Sequence, residues 1–256
     1  MIMWNTLGFI SQKNFFKSGI HAHAYLFVGQ EMIGKKTFAL ELAGKYADSS
    51  DMFVMTSHDI DTVRSAKQFL SRTALNGSRK ILVVDNADNL SEEAQNALLK
   101  ALEEPSASTT IILISARPGA LLPTIVSRCQ SIEFSAHSQK VINMYLQEKK
   151  LSAEQKDFLY QFSNGSIGLL SVDFTKIKEY AMEYGALVKA DISKRFDVAK
   201  QLAEDESLSQ KVLYWMLYLR TKRMYTPLAG LRELYSTISH PQFNRRLALE
   251  NFMLSL

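Results

Sequence analysis

The residues best suited to chemistry form one run, Gly29-Gln30-Glu31-Met32-Ile33-Gly34-Lys35-Lys36-Thr37. The spacing Gly, four residues, Gly-Lys is that of a phosphate-binding loop opening a helix. Glycines let the backbone curl so that successive N–H groups converge, the helix N-terminus adds positive potential, and the lysine reaches terminal phosphates. In such loops the next residue is a Ser or Thr whose hydroxyl binds magnesium. Here it is Lys36, and Thr37 follows on a different azimuth of the helix, where it does not replace that ligand. Two adjacent lysines could still hold a nucleotide by charge, with Lys36 standing partly for the metal. The competing reading is a strand–turn–helix whose glycines are purely structural.

A second segment bears on the same chemistry. Val83-Val84-Asp85-Asn86-Ala87-Asp88 sets an acid at a strand end, where a magnesium-binding carboxylate would stand; a simple turn residue is the plainer alternative. Hydrolysis also needs a neighbouring carboxylate to orient and deprotonate water. That neighbour is Asn86, which cannot take a proton. Lys36 and Asn86 together argue against efficient hydrolysis and against a good magnesium site. The single cysteine, Cys129, excludes an internal disulfide and a multi-thiolate zinc site, and histidines 21, 23, 58, 137 and 240 show no metal-ligand spacing. No metal site and no zinc are expected.

The elements that must position these residues alternate in the first half. Apolar, β-prone runs at 24–28, 52–55, 81–84, 111–114 and 131–134 are separated by helical patterns. One helix runs from Lys35 to Ala47, another from Asp61, and a third opens at the N-cap Ser91, carries Glu92 and Glu93 in its first turn and ends at Pro105. Doubly apolar strands between helices mean a parallel sheet covered on both faces. Beyond residue 136 the spacing turns helical throughout: Val141–Lys150, Ala153–Phe162, Ser166–Tyr184, Lys194–Glu204 and Leu208–Met224, with Pro227 and Gly230 as punctuation. Boundaries are expected near 136 and 188.

The chain has 256 residues, 46% hydrophobic and 22% charged, the composition of a folded protein. Residues 1–135 hold 13 basic and 13 acidic side chains, against 17 and 13 beyond, so the whole excess of +4 lies in the helical half. That is a weak field for nucleic acid. Tyr214, Trp215, Tyr218 and Tyr225, beside Arg220, Lys222 and Arg223, could stack on single strands; an aromatic core stripe with a solvated basic edge is the preferred reading. Residues 1–6 show no basic region running into an apolar core, and no run approaches membrane-span length. A soluble, cytoplasmic protein is expected.

Four segments resemble, in order and spacing, the clamp-loader branch of the AAA+ ATPases: His23-Ala24-Tyr25-Leu26-Phe27, Asp85-Asn86-Ala87-Asp88-Asn89-Leu90, the run from Asn96-Ala97-Leu98-Leu99-Lys100 to Glu103-Glu104-Pro105, and Ser127-Arg128-Cys129. The resemblance implies an α/β plus all-α architecture: an AAA+ P-loop NTPase-type parallel-sheet domain (1–135), a small helical lid (136–187) and a C-terminal helical, collar-like domain (188–256). It implies a subunit of the DNA polymerase III holoenzyme, a DNA-directed DNA polymerase and nucleotidyltransferase, acting in ATP-dependent loading of the sliding clamp onto primer-template DNA. The implied partners are the tau/gamma-type ATPases, delta and the sliding clamp. Arg128 would be an arginine finger, neutralising charge on ATP bound by a neighbouring subunit; an ordinary surface arginine is the alternative. Cys129 would be an apolar buried residue.

The same resemblance places a nucleotide, ATP or ADP, at Gly29, Gly34, Lys35, Lys36, Thr37 and Asp85, with Ser115 sensing the terminal phosphate. In Ser163-Asn164-Gly165-Ser166-Ile167-Gly168-Leu169-Leu170, Leu169 stands where ATPase members carry arginine. With Lys36 and Asn86 that makes three departures from a working ATPase, so little or no hydrolysis by the isolated chain is expected. A four-cysteine zinc module has no room between Ala47 and Phe53, and the C-terminal region is short for the family. A self-sufficient ATPase of the tau/gamma type and a purely structural loader subunit remain as alternatives.

Overall fold

The structure, a computed structural model, describes residues 4–75, 79–106, 108–147, 149, 151–171, 174–238 and 243–256. The chain divides into two compact units, Met1–Tyr145 with Gly165–Gly168, and Leu146–Asn164 with Leu169–Leu256.

The first unit runs α1 (Ile10–Phe15), β1 (Ala24–Val28), α2 (Lys35–Tyr46), β2 (Met52–Met55), α3 (Ile60–Ser71), β3 (Lys80–Val84), α4 (Glu92–Glu103), β4 (Thr109–Ser115), α5 (Pro123–Val126), β5 (Gln130–Glu133) and α6 (Gln139–Gln147). All pairings are parallel, in the order β2-β3-β4-β1-β5, with Val28 opposite Ser115 and Val84 opposite Leu113. Alternation along each central strand feeds two separate cores. Ala24, Leu26, Leu82, Val84, Ile111 and Leu113 pack on one face with Val63, Ala66, Ala94 and Leu98 of α3 and α4. Tyr25, Phe27, Ile81, Val83, Ile112 and Ile114 pack on the other with Phe38 and Leu42 of α2 and with Phe16 and Phe134. Side chains alternate across a strand, so a strand apolar at every position can be satisfied only between two helical layers.

Local caps explain where the helices begin. Asp59 accepts from the Thr62 amide at the start of α3 (2.8 Å), and Ser91 accepts from the Ala94 amide at the start of α4 (3.2 Å). Gln95 on α4 is buried, donating to the carbonyls of Leu90 and Ala120 and accepting from the Leu122 amide at 2.7 Å. It thereby ties α4 to the loop that carries α5 and Ser127-Arg128-Cys129.

The second unit holds α7 (Ala153–Ser163), α8 (Phe174–Lys189), α9 (Ile192–Ala203), α10 (Leu208–Thr221), α11 (Leu228–Ile238) and α12 (Arg245–Ser255). Ser152 and Gln155 form a capping box on α7. The core is aromatic: Tyr214 of α10 stacks on Phe162 and on Tyr180, and Trp215 lies 5.5 Å from Tyr184. Tyr214 and Trp215 are buried, whereas Tyr225 is exposed, so the stripe divides into core and surface.

Two expectations need correction. Ser166–Tyr184 is not one helix: a 3-10 turn covers Ile167–Ser171, residues 172–173 lie outside the described residues, and α8 begins at Phe174. The Gly168 amide donates to the Met32 carbonyl at 2.8 Å, a tertiary bond unavailable to a regular helix interior. Gly230 does not break a helix but sits within α11, where a Cβ would make ordinary contacts with Phe252 and Ser255 at 3.6 Å. The helix expected over Val141–Lys150 runs from Gln139 to Gln147, and Lys150 and His240 lie outside the described residues.

Candidate phosphate site and surface arginine

The loop after β1 is held from outside by its carbonyls. Lys35 Nζ donates to the carbonyls of Gly29 (2.5 Å) and Gln30 (2.8 Å). Ser166 Oγ donates to the Glu31 carbonyl (3.0 Å), the Gly168 amide to that of Met32 (2.8 Å), and His137 Nε2 to that of Ile33 (2.9 Å). Ser166 Oγ also accepts from Gln30 Nε2 at 2.8 Å. Each peptide here is trans, so a carbonyl fixed in one direction turns the next residue's N–H the opposite way. The five consecutive carbonyls of residues 29–33 are all bonded to protein donors. Met32 and Gly34 take positive φ, 56° and 112°, to make the curl.

Gly29 is required by packing: a Cβ there would lie 2.3 Å from the Phe134 carbonyl oxygen. Gly168 is required likewise, its Cβ falling 2.6 Å from the Met32 carbonyl oxygen.

The predicted site residues converge at the C-terminal edge of the sheet. Gly29 donates to the Ser115 carbonyl (3.3 Å), and the buried Ser115 hydroxyl accepts from the Arg117 amide (3.0 Å). Lys35 is buried, and loss of hydration lowers its ammonium pKa, opposed by the charges of Glu31, Asp88 and Asp85. Lys36 Nζ lies 3.0 Å from Asp85 Oδ2. Thr37 is exposed on α2, one residue beyond that pair. Asn86 occupies the left-handed region at φ 46°, which asparagine tolerates better than most side chains.

These residues fit phosphate and do not fit magnesium. The two ammonium groups suit phosphate oxygens, but the position that supplies a hydroxyl ligand supplies an ammonium, bonded to the carboxylate expected to hold the metal. Among the described residues no group of three or more His, Cys, Asp or Glu could hold a metal ion.

Arg128 lies on the same unit, after α5. Its Nη2 pairs with Glu103 Oε1 at 2.8 Å and its Nη1 donates to the Thr124 carbonyl at 2.9 Å. Glu103 closes α4 within Leu102-Glu103-Glu104-Pro105, so two segments that stand 25 positions apart meet at the guanidinium. Cys129 is partly buried, and that burial pushes its thiol up to about 11, unsuited to a nucleophile. Leu169 is buried in the second unit.

Sequence reading missed several partners: Glu103 for Arg128, Ser166 and His137 for the loop, and a pair between buried Asp88 and Arg117 (2.9 Å), whose Nη2 also reaches Asn89. The Asp85-to-Leu90 segment had drawn attention to Asp88, but nothing local marked Arg117 as its counter-ion.

Residues 46–138 match a family model described as DNA polymerase III, delta subunit. The chain is 34% identical to DNA polymerase III subunit delta′ of Pseudomonas aeruginosa over 155 residues, half of this chain and 45% of that protein. It is 28% identical to the Bacillus subtilis subunit delta′ over 193 residues, 66% of this chain and 58% of that one. Replication factor C small subunit 1 of Pyrobaculum aerophilum is 27% identical over 234 residues, covering 81% and 69%. The chain therefore spans about half the length of the delta′ proteins it matches. A solved gamma-subunit-related protein of Thermotoga maritima superposes with a TM-score of 0.58 at 16% identity, covering 96% of this chain and 97% of that one. The chain resembles delta′-type clamp-loader subunits and has the clamp-loader AAA+ fold.

Proposed function

We propose that this chain is a clamp-loader subunit of a DNA polymerase III holoenzyme, acting in ATP-dependent loading of the sliding clamp and supplying Arg128 to the ATP of a neighbouring subunit. Its partners in this reading are tau/gamma-type ATPases, delta, the sliding clamp and, through the complex, primer-template DNA, in the cytoplasm. Residues 136–187 would serve as lid and 188–256 as the collar-like assembly module. The observation that carries the reading is the placement of Arg128. The guanidinium is neither buried nor loose: Glu103 and the Thr124 carbonyl hold it at the surface of the α/β unit. An arginine so restrained loses less side-chain freedom on meeting a phosphoryl group and presents its remaining N–H groups in a fixed fork.

The chain's own site is proposed not to hydrolyse ATP, because Asn86 cannot act as base and Lys36 replaces a metal ligand. The test is reconstitution of the loader with Arg128→Ala. Clamp-stimulated turnover at the neighbour's site should fall by about 10³-fold, the usual worth of an arginine finger, with assembly unchanged. Unaltered turnover would remove the finger role and leave the structural-subunit alternative. ATP turnover by the isolated chain that disappears in Lys35→Ala would instead favour a self-sufficient ATPase.

A further inference from the structure

We infer that the cavity between α7, α8 and α10 is a docking site for an acidic, amphipathic helical segment of a protein partner. The inference concerns the helical unit by itself and does not rest on the loader role proposed above. The cavity measures about 550 Å³, within the span of about 300–1,000 Å³ typical of ligand clefts. Phe158 from α7, Phe174 and Met182 from α8 and Tyr218 from α10 line it. Phe158 and Phe174 meet edge to face at 5.6 Å and form a firm floor. Met182 is 68% exposed, an unbranched, adaptable side chain beside an apolar hollow.

Charge decides the occupant. Two exposed lysines line the same cavity, Lys178 on α8 and Lys222 just after α10. Their ammonium groups lie over lining rings, Lys178 Nζ 4.8 Å from the Phe174 centroid and Lys222 Nζ 5.8 Å from the Tyr218 centroid. Neither forms an ion pair among the described residues. Lys211 on the same α10 shows the contrast: it meets both Glu183 and Asp205, at 3.0 and 3.1 Å. Among the described lining residues Glu154 is the one carboxylate against two lysines, which leaves the cavity positive. An apolar floor edged by unneutralised ammonium groups matches a helix whose leucine or phenylalanine stripe is flanked by Asp or Glu. Single-stranded nucleic acid fits less well. A base needs an open ring face, whereas Phe158 already stacks on Phe162 at 5.9 Å, and Phe174 and Tyr218 carry the lysines.

The test is fluorescence anisotropy of the full chain with a labelled synthetic helix that has leucine at i, i+3, i+4 and i+7 and glutamate between them. The same peptide with lysine for every glutamate is its counterpart. The acidic peptide should bind saturably with a Kd below about 100 μM, at least about tenfold tighter than the lysine peptide. Lys178→Glu combined with Lys222→Glu, both at exposed positions and so compatible with folding, should invert that preference. Met182→Ala should weaken the acidic peptide by about three- to tenfold and keep the charge preference. No saturable binding below that limit, equal binding of the two peptides, or a preference that survives the double charge reversal would each overturn the inference. Displacement of the acidic peptide by single-stranded oligothymidylate would overturn it too, and would give the face to nucleic acid. The measurement uses the isolated chain, so its outcome is separate from that of Arg128→Ala in the assembled loader.

Discussion

Replacing Gly29 by alanine should destabilise the α/β unit for a reason unrelated to ligands. The added Cβ would stand 2.3 Å from the Phe134 carbonyl oxygen and 3.1 Å from the Phe134 Cβ. Backbone cannot swing aside as a side chain can, and this stretch is fixed, because the Phe134 amide donates to the Val28 carbonyl at 2.7 Å. Relief requires an opening of about 1 Å between the end of β1 and the residue after β5, since nonbonded carbon–oxygen contacts rarely fall below about 3.3 Å. Overpacking of that kind costs about 1–3 kcal/mol, and losing the Phe134–Val28 bond adds about 1 kcal/mol. A loss of about 3 kcal/mol corresponds to a fall of roughly 6–12 °C in Tm for a unit of this size.

Gly44→Ala is the matched control. It lies in α2 with nothing within 4 Å of a new Cβ, so the same substitution should stabilise by about 0.5–1 kcal/mol through helix propensity. The chain has two tryptophans, Trp4 and Trp215. Trp4 stacks on Phe38 in the α/β unit at 4.6 Å, so its fluorescence in a Trp215→Phe background reports urea unfolding of that unit alone. A loss below about 1 kcal/mol for Gly29→Ala, or equal shifts for both glycines, would refute the steric account.

Two further outcomes follow from the same unit. His137 is buried, and burial holds its pKa below the ordinary 6.5, with Lys13 adding to this and the bond to the Ile33 carbonyl opposing it. As pH falls the unfolded chain takes up the proton first, so the stability His137 contributes is complete above about pH 6.5 and is lost as pH drops toward the folded-state value. His137→Gln should flatten that part of a urea-midpoint profile, and an unchanged slope would show that other groups carry it. The Tyr25 hydroxyl, fully buried, accepts from the amides of His21 (2.8 Å) and Ala22 (2.9 Å). Tyr25→Phe should cost about 2 kcal/mol in denaturant unfolding by leaving two donors without their acceptor, and a neutral result would mean that water replaces it.

The sequence by itself determined the layered α/β architecture and the strand–loop–helix at Gly29–Lys35, because both are written in local patterns. Strands apolar at every position demand cover on two faces, and the Gly29–Lys35 spacing opens a helix at a strand end. It also marked Asp85, Ser115 and Arg128 through motif order, and tertiary contacts then joined Asp85 to Lys36 and Ser115 to Gly29. What the sequence could not specify are the partners brought from far along the chain. Glu103 meets Arg128, Arg117 meets Asp88, and Ser166, Gly168 and His137 bond the loop carbonyls across more than 100 positions. These depend on how α4, the loop after β4 and residues 165–168 lie over one sheet edge, which no periodicity encodes. The segment 166–184 shows the same limit: its helical spacing was real, but a backbone bond from Gly168 to Met32 outweighed propensity and broke the helix.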